Sequence, residues 1–147
     1  MNKSQHKYSG ILTALPTPLT ADLQIETAPL VAHVQRLAQG GATDGVVPLG
    51  GTGEYTSLSA SQRLQIVEAT LAAAGDTMHV IPGILSPGVG DAIDNARAFV
   101  RAGAKALMVV TPYYFRPTQE GILDYYKRFS DAVDADIILY EIPYRTG

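Results

Sequence analysis

Short, nearly continuous apolar runs alternate along this chain with longer stretches in which apolar residues recur every three or four positions. The runs cover residues 10–15, 45–49, 79–84, 106–111 and 136–140. They are rich in Val, Ile and Leu, the pattern of parallel strands buried on both faces. Four helical stripes separate them. The first sets Leu30, Val34, Leu37 and Ala38 on one face and ends at Gly40-Gly41. The second opens with Ser59-Ala60-Ser61-Gln62, a capping-box pattern, and carries Leu64, Val67 and Leu71 before Gly75. The third carries Ile93, Ala96 and Val100 and stops at Gly103. The fourth follows Thr118, with Glu120 in its first turn, and carries Ile122, Tyr126, Phe129 and Val133.

Strands and crossover helices in strict alternation predict an α/β fold with a parallel sheet. An open doubly wound sheet and part of a (β/α)8 barrel both fit a repeat of roughly 30 residues. A complete barrel needs about 250 residues. With 147 residues and about four and a half units, the chain is expected to form the first part of one barrel domain, with the remainder outside this sequence. The last run passes into Tyr140-Glu141-Ile142-Pro143-Tyr144-Arg145-Thr146-Gly147 with no helical pattern to cover it. Both terminal strands are therefore expected to expose unpaired edges.

Composition removes several function classes. The net charge is −3 and no basic cluster occurs, which argues against nucleic acid as a partner. Without cysteine there is no disulfide, thiolate metal site or cysteine nucleophile. Met1 to Ser9 form a polar leader, and no apolar run approaches the roughly 20 residues of a membrane span. A cytoplasmic protein with neither membrane nor nucleic-acid partner is the expectation. His6, His33 and His79 show no metal-binding spacing and read as structural or solvated.

In either α/β architecture ligands sit at the carboxyl ends of the strands. The second run ends there in Gly50-Gly51-Thr52-Gly53-Glu54. This loop lacks the lysine of a P-loop and the third glycine of a dinucleotide fingerprint. It is either a tight strand-to-helix turn or a cradle in which backbone N–H groups and the Thr52 hydroxyl hold a carboxylate. The fourth run ends in Thr111-Pro112-Tyr113-Tyr114-Phe115-Arg116-Pro117 and the fifth in Tyr140 through Arg145. Each tyrosine could be ordinary ring packing. Two of the three positions lie directly at strand ends, which instead suggests proton transfer through a hydrogen-bonded network. Arg145 is either a solvated surface residue or a bidentate clamp for a substrate carboxylate.

Taken together, these segments resemble the dihydrodipicolinate synthase / N-acetylneuraminate lyase family of class I aldolase-type enzymes. The matching stretches are Gly50 to Glu54, Thr111-Pro112-Tyr113-Tyr114 with Arg116-Pro117, and Tyr140-x-x-Pro143-x-Arg145-Thr146-Gly147, and the resemblance runs along the full chain. It implies a (β/α)8 TIM barrel, a homo-oligomer (dimer or tetramer), and a lyase that forms a Schiff base between lysine and pyruvate without cofactor or metal. The resemblance implies that Gly51, Thr52 and Gly53 hold the pyruvate carboxylate and that Tyr140 transfers protons beside the imine. Tyr114 would belong to the hydroxyl relay, and Tyr113 would reach into a neighbouring subunit's site. Arg145 would hold the carboxylate of a second substrate, aspartate semialdehyde in the branch that serves lysine biosynthesis.

Two positions depart from that branch. Gly51 stands where a threonine is usual, and Glu141 where asparagine is common. They open a related reading, an aldolase or dehydratase acting on keto-deoxy sugar acids. The four lysines are Lys3, Lys7, Lys105 and Lys127, and none is placed to reach the rim. In the family the Schiff-base lysine lies on the sixth strand, beyond this sequence, so the 147-residue piece alone is expected to be inactive. A non-catalytic half-barrel that binds a carboxylate metabolite or pairs with another chain is the remaining alternative.

Overall fold

A computed structural model of the chain describes residues 7–146. Lys3, His6, most of the polar leader and Gly147 lie outside the described residues. The strands are β1 (Leu12–Ala14), β2 (Gly45–Val47), β3 (His79–Val80), β4 (Gly83–Ile84), β5 (Ala106–Val110) and β6 (Asp136–Tyr140). The helices are α1 (Thr27–Gly40), α2 (Ala60–Ala74), α3 (Val89–Arg101), α4 (Gln119–Ala132) and the single turn α5 (Pro143–Thr146). Helix boundaries follow the cap residues. Ser59 and Gln62 complete a reciprocal capping box at the start of α2, and the Thr118 hydroxyl accepts from the Gly121 N–H at the start of α4. Gly41 adopts a left-handed conformation to end α1.

Every strand pair is parallel. β2 lies between β1 and β3, and β5 between β4 and β6. The run 79–84, expected as one strand, is divided into β3 and β4. Pro82 has no N–H and cannot continue a ladder as donor. Its carbonyl still accepts from Met108 N–H at 3.0 Å, while Ile81 N–H donates to Val46 and Gly83 N–H to Pro48. The run therefore pairs with β2 through its first half and with β5 through its second, and the two short sheets form one curved wall.

The wall has two unlike faces. Val46, Val80, Leu107 and Val109 face α1 to α4, where they pack with Leu30, Ile66, Phe99 and Phe129 in the main core. The opposite face carries a smaller cluster of Val47, Ile81 and Ala106, with Leu12, Met108 and Ile138 only partly buried around it. Tyr8 closes the amino-terminal end of that inner face. Its ring meets His79 edge-on at 5.0 Å, and its hydroxyl donates to Asp136 at 2.6 Å. On β6, Leu139 is 65% exposed, as expected of a last strand with no helix over its outer side.

Candidate functional site

At the carboxyl ends of the strands lies a cavity of about 730 Å³. Its polar lining includes Gly51, Thr52 and Glu54 of the glycine loop, Tyr113 beyond β5, and Tyr140 and Arg145 at and beyond β6. Four strand ends, those of β2, β4, β5 and β6, thus bring together residues up to 94 positions apart, Gly51 to Arg145. Gly53 lies beneath this lining, buried under Leu15 and Leu49.

The loop owes its shape to close approach and to two uncommon backbone conformations. Leu49 and Glu54, which flank it, have φ of 62° and 55°. Left-handed conformations cost a non-glycine residue roughly 1–2 kcal/mol each and persist where the surroundings enforce them. Leu49 is held by complete burial. A Cβ on Gly83 would come within 2.3 Å of the Leu49 carbonyl oxygen, so only glycine lets β4 pass beneath the loop. Inside the loop, Gly53 N–H donates to Gly50 O at 3.1 Å and Glu54 N–H to Gly51 O at 3.3 Å. The Thr17 hydroxyl donates to Gly53 O at 2.7 Å. Among the described residues the N–H groups of Gly51 and Thr52, and the Thr52 hydroxyl, have no partner, and Thr52 lines the cavity. Unpaired donors on a constrained loop form a receptor for an anionic oxygen pair.

Gly51 differs from Gly83. A Cβ there would meet nothing within 4 Å, and its φ lies outside the left-handed region. Glycine at this position leaves space in the cavity and answers no demand of the backbone.

The two consecutive tyrosines part company. Tyr113 lines the cavity and donates to Leu85 O at 3.0 Å. Tyr114 is 77% exposed and does not line it; its ring meets that of Phe115 edge-on at 5.0 Å, and Phe115 is 80% exposed. Thr111 turns to the helical side, where its hydroxyl pairs with that of Tyr126 at 3.1 Å. Arg145 sits in α5, exposed, with Nε donating to the Tyr144 hydroxyl at 3.2 Å. That bond raises the guanidinium pKa further, and Arg145 stays a full cation.

Sequence reasoning passed over Tyr55. This residue directly follows Glu54, is fully buried, and lines the cavity wall. Its hydroxyl pairs with that of Ser86 at 2.7 Å, and Ser86 in turn donates to Asp91. Burial pushes the Tyr55 phenol up, against the opposing influence of Ser86 and of the Arg63 charge. The signal available was its place beside the glycine loop; its partners, from α3 and the turn before it, carry none. The described lysines are elsewhere: Lys7 pairs with Asp136, Lys105 borders a groove at the opposite end of the sheet, and Lys127 is exposed on α4.

A parallel wall of β-strands with helices on one side defines part of an α/β barrel, and its polar cavity lies at the carboxyl ends of the strands, the end where such barrels place their ligand sites. The model of the dihydrodipicolinate synthetase family matches residues 7–147, and the chain belongs to this family. It is 39% identical over 140 residues to the 4-hydroxy-tetrahydrodipicolinate synthase of Haloarcula marismortui, covering 95% of this chain and 45% of that protein. Identity to the enzyme of the same name from Cutibacterium acnes is 36%, over 95% of this chain and 48% of that one. Among solved structures, dihydrodipicolinate synthase from Cyanidioschyzon merolae, determined with lysine bound, superposes with a TM-score of 0.91 at 29% identity, over 97% of this chain and 49% of that one. The chain spans about half the length of the curated relatives it matches. No helix among the described residues is long and apolar enough to cross a membrane.

Proposed function

We propose that this chain supplies the substrate-holding part of a pyruvate-dependent Schiff-base lyase of the 4-hydroxy-tetrahydrodipicolinate synthase type. The observation that carries the reading is the convergence of Thr52, Tyr113, Tyr140 and Arg145 on one cavity. In this reading the pyruvate carboxylate sits on the free N–H groups of Gly51 and Thr52 and on the Thr52 hydroxyl. An amine from outside the chain's own cavity lining attacks the keto carbon; the C–N bond forms and water leaves. Tyr140 stands beside that carbon and passes the protons that dehydration and enamine formation require. Arg145 clamps the carboxylate of the incoming aldehyde, the task for which a planar guanidinium is suited.

The roles implied for the two consecutive tyrosines exchange. Tyr113 serves the chain's own site, and Tyr114, exposed with Phe115, meets a second copy in a homo-oligomer. The test is borohydride reduction of the native protein bearing this chain in the presence of pyruvate. A covalent adduct on one lysine is expected, and its absence would refute the reading.

A second reading concerns the substrate that joins pyruvate. The space beside Gly51 is empty where a side chain would fit. That favours a bulkier partner, a keto-deoxy sugar acid, processed by aldol cleavage or dehydration at the same imine. Relative turnover of aspartate semialdehyde and keto-deoxy sugar acids by the native protein decides between the two.

A further inference from the structure

Behind the glycine loop lies a polar cluster outside the proposed chemistry, which meets the cavity lining through Tyr55. Arg63, on the first turn of α2 and largely buried, holds Tyr55 in two ways. Its guanidinium carbon lies 3.9 Å from the centre of the Tyr55 ring, and its Nε donates to the Tyr55 carbonyl at 3.1 Å. A stacked guanidinium and an aromatic face attract each other, more strongly where water is excluded. The far end of the guanidinium reaches α3. Nη1 lies 3.4 Å from Asn95 Oδ1 and 3.7 Å from Asp91 Oδ2. The Asn95 amide donates to the Asp91 carbonyl at 2.7 Å, which fixes its oxygen towards Arg63. Asp91 also accepts from Ser86, which pairs with the Tyr55 hydroxyl. Ring, carbonyl and hydroxyl of a single residue are therefore all tied down.

That residue adjoins Glu54, the second of the two left-handed positions that shape the loop. Leu49 at the loop's other end is held by apolar burial. Nothing comparable holds Glu54, which is exposed and makes no side-chain bond among the described residues. Its conformation depends on the anchored Tyr55 next to it. We propose that Arg63 is a positioning residue for the anion-holding loop, acting through Tyr55, with Ser86 and Asp91 as the anchor of the Tyr55 hydroxyl. A planar fork is required. Lysine has the charge, but it cannot stack on the ring and bond the carbonyl of the same residue at once.

The proposal rests on the reading of the loop as a pyruvate carboxylate site, and its test separates the two. Arg63→Lys and Tyr55→Phe are introduced into the native protein. Two measurements are made on each: the pyruvate concentration that half-saturates borohydride trapping, compared with kcat, and amide hydrogen exchange across residues 50–58. Arg63→Lys is expected to raise half-saturation roughly tenfold with kcat nearly unchanged, the pattern of lost uniform binding. Exchange should quicken at residues 50–55 and not along α2. Tyr55→Phe keeps the stacked ring and loses the Ser86 tie, so the same changes should appear with smaller size. Should Arg63→Lys fail to fold, Tyr55→Phe decides on the same readouts. A variant that melts earlier yet binds pyruvate as the wild type does, with exchange unchanged at the loop, overturns the positioning role. If the wild type traps no pyruvate, the carboxylate reading fails instead. Loop exchange then still judges the role of Arg63: quickened exchange confined to residues 50–55 supports it, and unchanged exchange overturns it.

Discussion

The two faces of the strand wall are made from the same short runs, yet they end in different states. On the helical side, Val46, Leu107 and Val109 are sealed under α1 to α4 together with Phe99 and Phe129. On the inner side, Val47, Ile81 and Ala106 are covered, while Leu12, Met108 and Ile138 around them are only partly so. The chain covers the outer side of β2 to β5 because each crossover helix returns over the strands it connects; β6, with Leu139 exposed, is left bare there. The inner layer has no such cover among the described residues, and each of the two terminal strands, β1 and β6, has one neighbour. Folding energy therefore resides in the outer layer, and the candidate site opens at the upper end of the inner one.

Removing a large outer side chain is the severest challenge to that division. Phe99 is completely buried in α3. Phe99→Ala should cost about 3–5 kcal/mol, the usual range for emptying a buried aromatic position. Against a stability of about 5–15 kcal/mol for a whole domain, such a loss should leave the chain largely unfolded near room temperature or shift its urea midpoint strongly. Circular dichroism in urea measures this. A midpoint close to that of wild type would mean that the outer layer does not carry the fold.

Gly83→Ala comes next, and it strikes where the two layers meet. The new methyl group would press on the Leu49 carbonyl oxygen, a backbone atom that cannot swing aside. Overpacking of this kind costs about 1–3 kcal/mol, and here it also disturbs the loop proposed to hold the pyruvate carboxylate. Both the melting temperature and pyruvate affinity should fall. A variant destabilised but with unimpaired pyruvate binding would separate the loop from the packing beneath it. Met108→Ala tests the inner layer directly. Its side chain is partly exposed, so the cost in this chain should be about 1 kcal/mol, below the 2–5 typical of a sealed site. In the native protein, any further cover on the inner face should raise that cost. Equal values in the two settings would show that the inner face stays open.

Much of this division could be read from residue order. Gly41, Gly75 and Gly103 marked helix ends, and the Ser59–Gln62 pair marked a start, because caps are set by neighbours within four residues. The glycine loop was legible for the same reason. Pro82 carried its own signal as a residue with no donor, but a strand broken between two partners reads as one apolar run. The clamp on Tyr55 had no local signature. Arg63 and Ser86 meet Tyr55 directly, from α2 and the turn before α3, and Asp91 and Asn95 of α3 hold those two; tertiary packing alone brings them together. The direction of Thr111 was equally hidden, since the same strand end can turn a side chain to the cavity or to α4.

A smaller effect of opposite sign should come from α4. The Tyr125 hydroxyl is buried without a hydrogen-bond partner among the described residues, and burial holds the phenol neutral well above its usual range. An unpaired buried hydroxyl carries a desolvation cost with no return. Tyr125→Phe keeps the ring that stacks on Phe129 at 6.4 Å. It should leave stability unchanged or raise it by up to about 1 kcal/mol, read as a small upward shift in melting temperature. A clear fall would reveal a partner for that hydroxyl, an ordered water for example.

The smallest effect is expected at the amino-terminal end of the inner face, where Lys7 and Tyr8 reach Asp136. The hydrogen bond from Lys7, followed by that from Tyr8, holds the Asp136 carboxyl below its ordinary value. The bond to Asp136 raises the Lys7 ammonium above its own. A depressed carboxylate stabilises the fold fully above its unfolded pKa, near 3.9, and this contribution vanishes as pH falls through the lower folded value. A raised ammonium stabilises fully below its unfolded pKa, near 10.4, and this is lost as pH rises through the higher folded one. Asp136→Asn leaves an oxygen for Tyr8 and removes the charge. The difference in melting temperature between wild type and variant should be small, level across the neutral range, and shrink towards zero below about pH 4. Added salt should shrink it as well, because both partners are exposed. A difference that persists unchanged in acid would locate the tie in the Tyr8 ring packed on His79, an apolar plug of the inner face, and not in the ion pair.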